Sequence, residues 1–294
     1  MKGDHMKKFL TITMSIFLAA FFAGCDSVPN QKSGKKPSQY LSVKGSDTMV
    51  HLVSIWAEDF MAGHPDTDIS VTGGGSGTGI ASLINGTTDI CASSRSLQAK
   101  EIDLLRKAGI TPLEIPVARD GLALVVNPEN PVNQLTMEQI RNIFTGRITN
   151  WQGVGGPDKP IQVMSRESSS GTFVFFQEHV MEKEDYTRTA RLLPGTSALI
   201  QAVAADRWTI AYVGLGFAEE SHGTVKTLAV QAPGQDEAVL PTEESIRIGK
   251  YSVSRPLFFY SNGEPKGAVK EFVDFCLSPA GQEIVKKAGY VPVS

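Results

Sequence analysis

Three short stretches of this sequence concentrate glycine and hydroxyl side chains: Gly45–Met49 reads GSDTM, Gly73–Gly79 reads GGGSGTG, and Ser168–Thr172 reads SSSGT. Each stands after a strand-like run and before an apolar run of helical spacing. The first turn of a helix offers backbone N–H groups that have no partner inside the helix, and their dipoles favour negative charge. Short hydroxyls add donors, and glycine lets an anion approach the backbone closely. Ser46, Asp47, Thr48, Met49, Ser76, Ser170, Gly171 and Thr172 are therefore candidates for a cup that holds a tetrahedral oxyanion, phosphate foremost. Arg166 stands just ahead of the third cluster and adds a planar fork of donors, whose charge-assisted bonds are worth about 1.5–3 kcal/mol each. A second arginine lies in ASSRSL, which brings in Ser94 and Arg95. Any one cluster is also what an ordinary helix cap looks like, because Ser, Thr and Asp satisfy the first amides. Three of them at three separate junctions, with arginines nearby, point to a bound anion.

The elements that must carry these clusters alternate. YLSVKG reads as a strand, and Met49, Leu52, Val53, Trp56 and Phe60 then recur at helical spacing until GHPD. DISVTGG, a short helix marked by Ile80, Leu83 and Ile84, the strand TDICASS, and a helix through Ile102 and Leu105 complete a βαβαβα series. That series is the mark of a mostly parallel sheet covered by helices. Two strand-like runs then follow each other across ARDG (Ala118–Gly121), which reads as a crossing point into a second α/β series. Thr136 and Gln139 are spaced as a capping box, IQVMSRE reads as a strand, and a helix begins near Gly171. YSVSRPLFFYSN is the return crossing, and the last helix is capped by Ser278 and Pro279 and stopped by Gly289. The expected fold is α/β with two lobes joined by a two-segment hinge: residues 40–118 with 252–294, and residues 119–251. Such pairs close around a small ligand at the carboxyl ends of their strands.

Lys2, Lys7 and Lys8 precede an uncharged apolar run, Phe9–Ala23, that is too short to span a bilayer and ends in small residues and Cys25. This is an export signal over residues 1–24, and residues 25–39, rich in Lys, Ser, Pro and Gln, read as a tether. The tether and signal together hold six lysines against two acids, so the rest of the chain carries a formal −7 where the whole carries −3. A broad attraction for nucleic acid is thereby excluded, and any anion site must be local. Cys91 and Cys276 fall on apolar faces and read as buried thiols, with a bridge between them left open; the histidines show no ligand spacing, so neither a metal nor a cofactor is implied. A serine hydrolase would need the nucleophile elbow G-x-S-x-G with a partner histidine, and an NTPase a lysine after its glycine loop; neither pattern occurs at the clusters. Binding, not catalysis, is expected.

GSDTM, GGGSGTGI, DICASSRSL, FTGRITNW and SRESSSGTFVFF, in that order from about Leu41 onward, resemble the substrate-binding proteins of bacterial phosphate ABC transporters, of the type II periplasmic-binding-protein fold. FAGC similarly resembles a lipobox, which implies a lipid on Cys25, and a place in the periplasm or on the outer face of the cytoplasmic membrane. The resemblance implies phosphate held by Thr48 and the backbone of Met49, by Ser76, and by Arg166, Ser170, Gly171 and Thr172. It further implies a monomer that delivers phosphate to a membrane permease driven by a cytoplasmic ATPase. The alternatives are a binder of sulfate or molybdate and a phosphate-sensing surface lipoprotein. In well-studied members an aspartate that accepts the ligand's proton occupies the position of Ser94. The expectation here is that Asp47 takes over that role while Arg95 helps to balance its charge.

Overall fold

The computed structural model describes residues 39–293; the signal, Cys25 and the tether up to residue 38 lie outside the described residues. The first series forms as its alternation predicts: β1 (Gln39–Gly45), α1 (Val50–Gly63), β2 (Thr67–Thr72), α2 (Ser76–Ile84), β3 (Ile90–Ser93) and α3 (Ala99–Lys107). β1 lies between β2 and β3 and runs parallel to both. In α1, Leu52, Val53, Trp56, Ala57 and Phe60 share one buried stripe that packs on Leu41 and Val43 of β1. All four residues of β3 are buried, as expected of a strand covered on both faces.

The long strand β4 (Pro112–Val126) opens the second series. There follow β5 (Gln134–Thr136), α4 (Met137–Phe144), β6 (Gln162–Arg166), α5 (Gly171–His179), β7 (Arg191–Leu193), α6 (Thr196–Ala205) and β8 (Thr209–Gly214). After α7 (Leu215–Glu220), β9 (Lys226–Thr227), β10 (Ala229–Gln231) and α8 (Glu243–Arg247), the chain returns through β11 (Ser254–Asn262) to α9 (Gly267–Leu277) and α10 (Pro279–Lys287). Thr136 and Gln139 form the capping box of α4, with bonds of 3.1 and 2.9 Å. Ser278 caps α10 through Gly281 N–H, Pro279 takes the first turn, and Gly289 ends it at φ +76°.

ARDG is not a break between two strands, as the sequence had suggested, but the middle of one. The backbone of β4 finds two partners in turn: up to Gly121 it pairs antiparallel with β11, and from Leu122 it pairs antiparallel with β8. The sheet therefore runs β2-β1-β3-β11-β4-β8-β6-β7, with β9 also on β4. Parallel strands flank both ends, and the antiparallel β4–β11 pair joins them. Between Leu257 and Phe258 the register slips, so that Val117 is an extra residue in β4 next to Pro116. A bulge of this kind bends a strand and increases its twist.

Two main cores result. Trp56, Phe60, Phe259, Phe272 and Tyr290 belong to the first, so α9 and α10 pack back on the first series as expected. Phe144, Trp151, Phe176 and Tyr212 belong to the second. The end of the chain is tied in tightly: Trp56 Nε1 donates to Gly281 O at 2.8 Å, and Arg119 and Val291 exchange backbone bonds of 2.8 and 2.9 Å. Cys91 and Cys276 are both free and buried, so no bridge joins them, and burial pushes both thiols upward out of their reactive range.

Candidate anion site

The three glycine–hydroxyl clusters meet. Thr48 Oγ1 lies 2.9 Å from Thr172 Oγ1, which joins the first cluster to the third. Gly77 N–H donates to Ser169 O at 2.9 Å, which joins the second to the third. Ser76 Oγ accepts from Ser94 N–H at 3.1 Å and lies 3.3 Å from Ser94 Oγ. Ser46, Thr48, Ser76, Ser94, Ser170 and Thr172 are all buried, although each is polar. Glycine is required where the loops touch: a Cβ on Gly171 would sit 2.2 Å from Ser76 Oγ, and one on Gly75, already at φ +103°, would sit 2.5 Å from Ser169 O.

The local reasons differ from cluster to cluster. Ser76 and Gly171 are the first residues of α2 and α5, whose amides have no carbonyl four residues back to bond. Ser170 acts as a true cap, its Oγ accepting from Thr172 N–H at 3.1 Å and Phe173 N–H at 3.4 Å, which leaves its own hydroxyl proton to donate. In the first cluster Asp47–Met49 form a 3₁₀ turn, so Met49 N–H, expected to face an anion, donates to Ser46 O at 3.0 Å. Tyr290 hydroxyl donates to Thr48 O at 2.6 Å and holds that turn from behind.

Arg166 is 2% exposed at the end of β6. It donates to Thr196 Oγ1 at 3.0 Å and Pro194 O at 2.8 Å, and its Nη1 lies 3.2 Å from Asp47 Oδ2. Burial lowers its pKa, and the Asp47 carboxylate acts against that. The same Asp47 oxygen accepts Thr196 N–H at 2.8 Å. The charge balance expected of Arg95 is thus supplied by Arg166. Arg95 instead turns to Glu101, with two bonds of 2.7 Å, because Glu101 is the N3 residue of α3 and closes its cap through Gln98 N–H. Burial acts to raise the Glu101 pKa, but the bonds from Arg95 and Gln98 outweigh it and hold the carboxyl below its ordinary range. Arg141 and Arg147 pair with Glu182 and Glu184 in a partly exposed network, and Arg188 and Arg191 are exposed.

Three contributors went unnoticed in the sequence. The start of α6, in PGTS, is a fourth glycine–hydroxyl junction, and its Thr196 holds both Arg166 and Asp47. The other two are Asp120 and Arg255, which face each other across β4 and β11 with both side chains fully buried and Nη2 3.0 Å from Oδ2. Burial pushes Asp120 up and Arg255 down, while their mutual attraction keeps both ions paired. A charged residue inside an apolar strand, in ARDG and again in SRPL, was the available signal.

Nε of Arg95, Nε of Arg166 and Nη1 of Arg255 are buried without a hydrogen-bond partner among the described residues. Buried donors of this strength are rarely left so, and for Arg166, beside Asp47 and the clusters, an anion is the natural acceptor. A cavity of about 580 Å³ opens beside Asp47, lined by His51, Ser54, Ser197 and Gln201 among others, on the exposed side of the carboxylate and not at the buried hydroxyls. No group of three or more His, Cys, Asp or Glu among the described residues could hold a metal.

Residues 30–280 match the model of the PBP superfamily domain. The phosphate-binding protein PstS of Pseudomonas aeruginosa is 31% identical over an alignment covering 100% of this chain and 96% of that protein. The chain belongs to the PstS family within the PBP superfamily. PstS of Staphylococcus epidermidis is similar too, at 32% identity over 97% of this chain and 89% of its own. Among solved structures, a protein assigned as the substrate-binding component of a phosphate ABC transporter in Clostridium perfringens, with phosphate bound, aligns at TM-score 0.78 and 33% identity, covering 87% of this chain and all of that one. An ABC-type phosphate transport receptor from Vibrio cholerae aligns at TM-score 0.68 and 32% identity over 85% of this chain and 99% of its own. These likenesses agree with the mixed sheet flanked by helices described above.

Proposed function

We propose that this protein binds inorganic phosphate in the cup formed by Thr48, Ser76, Ser94, Arg166, Ser170, Gly171 and Thr172, and delivers it to an ABC permease driven by a cytoplasmic ATPase. The observation that carries the reading is the convergence of buried hydroxyls and first-turn amides beside Arg166, whose buried Nε keeps an unused donor. Asp47 gives the site its selectivity. Its Oδ2 is taken by Arg166 and Thr196, which leaves Oδ1 to accept a proton from the ligand. Phosphate carries such a proton near neutral pH and sulfate does not, so a carboxylate attracts the first and repels the second. Residues 40–118 with 252–294 and residues 119–251 act as the two lobes, supported by the switch of β4 from β11 to β8 at Gly121–Leu122. The signal at residues 1–24 exports the chain, and lipid on Cys25 with the tether to residue 39 keeps the monomeric binding unit at the outer membrane face. Among the described residues, no helix is long and apolar enough to cross a membrane. Calorimetric titration with phosphate, sulfate and molybdate tests the reading: phosphate binds in the micromolar range or tighter, and a preference for sulfate or molybdate overturns it.

A further inference from the structure

The Asp120–Arg255 pair sits where the two crossing strands face each other, and its donors reach the cup. Arg255 Nη2 bonds Asp120 Oδ2 at 3.0 Å and Thr172 Oγ1 at 3.0 Å, and lies 3.5 Å from Thr48 Oγ1; Nε adds a contact of 3.3 Å to Asp120 Oδ2. Asp120 is anchored in turn by Leu215 N–H, 3.1 Å from its Oδ1. A guanidinium has donors only, and a hydroxyl has one proton and two acceptor sites. Whichever threonine takes the Arg255 proton must point its own elsewhere. With Thr48 and Thr172 only 2.9 Å apart, one hydroxyl donates to the other and the last proton in the row is free for the ligand.

We infer that Arg255 is a positioning residue that fills an acceptor site of this pair, so that the pair's one free proton points away from the guanidinium and is donated to the anion. Asp120 cancels its charge, so the pair contributes direction without adding net attraction. A ligand oxygen at that end has to be unprotonated, and the ligand's proton is left to an oxygen that meets an acceptor, the Asp47 carboxylate. The inference rests on the phosphate reading above and deepens it: selectivity comes from the Arg255–threonine row together with Asp47, not from Asp47 alone.

The test is a cycle of phosphate affinities measured by calorimetry at neutral pH. Asp120→Asn with Arg255→Met removes the donor without stranding a buried charge, and keeps an acceptor for Leu215 N–H. Expected are a loss of at least tenfold in the double replacement, a similar loss for Thr172→Val in the natural background, and less than a threefold further loss when Thr172→Val is added to the double replacement. Thr172→Ser, which keeps the hydroxyl, stays within threefold of the natural protein. A folded double replacement within twofold of the natural affinity overturns the inference, as does a Thr172→Val loss of equal size in both backgrounds, since a purely structural pair would leave the threonine's share untouched. If the double replacement does not fold, Arg255→Lys, which keeps the charge beside Asp120 but draws the donor back from Thr172, goes through the same cycle with the same criteria. Failure of the natural protein to bind phosphate at all overturns the functional reading and this inference with it; binding with no coupling between the two positions overturns only the inference.

Discussion

Arg166→Ala is the substitution whose consequence the structure fixes most closely. The guanidinium is 2% exposed, so its charge acts in a desolvated setting where Coulomb terms are large. Its removal takes away the donors beside the cup and frees the Asp47 carboxylate, which then faces an incoming anion with no cation at 3.2 Å. Truncating one partner of a buried, hydrogen-bonded charge pair costs about 2–5 kcal/mol. At about 1.4 kcal/mol per factor of ten, this is a loss of roughly 30-fold to several thousand-fold in phosphate affinity. Arg166→Lys keeps the charge but not the fork that spans Thr196 Oγ1 and Pro194 O, and should fall between the two. Titration calorimetry reads the affinity, and a thermal melt without phosphate separates binding from folding. A loss of less than threefold in a folded Arg166→Ala protein would show that the cup does not depend on this cation, and the charge argument would be wrong.

Asp47→Asn should weaken phosphate binding and relax discrimination against sulfate; competition titration that finds both unchanged would remove Asp47 from the selective role. Gly171→Ala places a methyl 2.2 Å from Ser76 Oγ, so it should hold the clusters apart, lower the melting temperature and reduce phosphate affinity by tenfold or more; unchanged affinity and melting would mean that the contact yields easily. Glu101 has its pKa lowered in the folded state, so its contribution is full above the unfolded value of about 4.3 and is lost as the pH falls through the folded value. Natural protein and Glu101→Gln should therefore differ in denaturant stability at neutral pH and converge in acid, and a gap that persists below that window would rule the linkage out.

The clusters were legible because they combine two local signals, glycine with hydroxyls and a following apolar period, that depend only on neighbours in the chain. α1, α2 and α5 start where those signals place them. Partners chosen across the fold were not legible in the same way. Arg95 stands among serines as Arg166 does, yet it serves the cap of α3, because Glu101 lies only six residues on and reaches it first. ARDG carries glycine and charge, the ordinary marks of a turn, and is nevertheless the centre of a 15-residue strand. Its Asp120 is tolerated there because Arg255, 135 residues later, arrives opposite it. Gly45 and Gly195 look alike in sequence, but only at Gly45 would a Cβ collide with backbone, 2.0 Å from Ala92 O.

Tyr290 is among the last residues of the chain, and it supports Thr48, which is among the first of the described fold. The turn that carries Thr48 is therefore held by a residue 242 positions further along the chain. Without the Tyr290 hydroxyl, Thr48 O loses that donor, and α1 likewise depends on the distant Gly281 through Trp56. Any loosening at that far end of the fold is thereby passed on to the Thr48–Thr172 hydroxyls at the site.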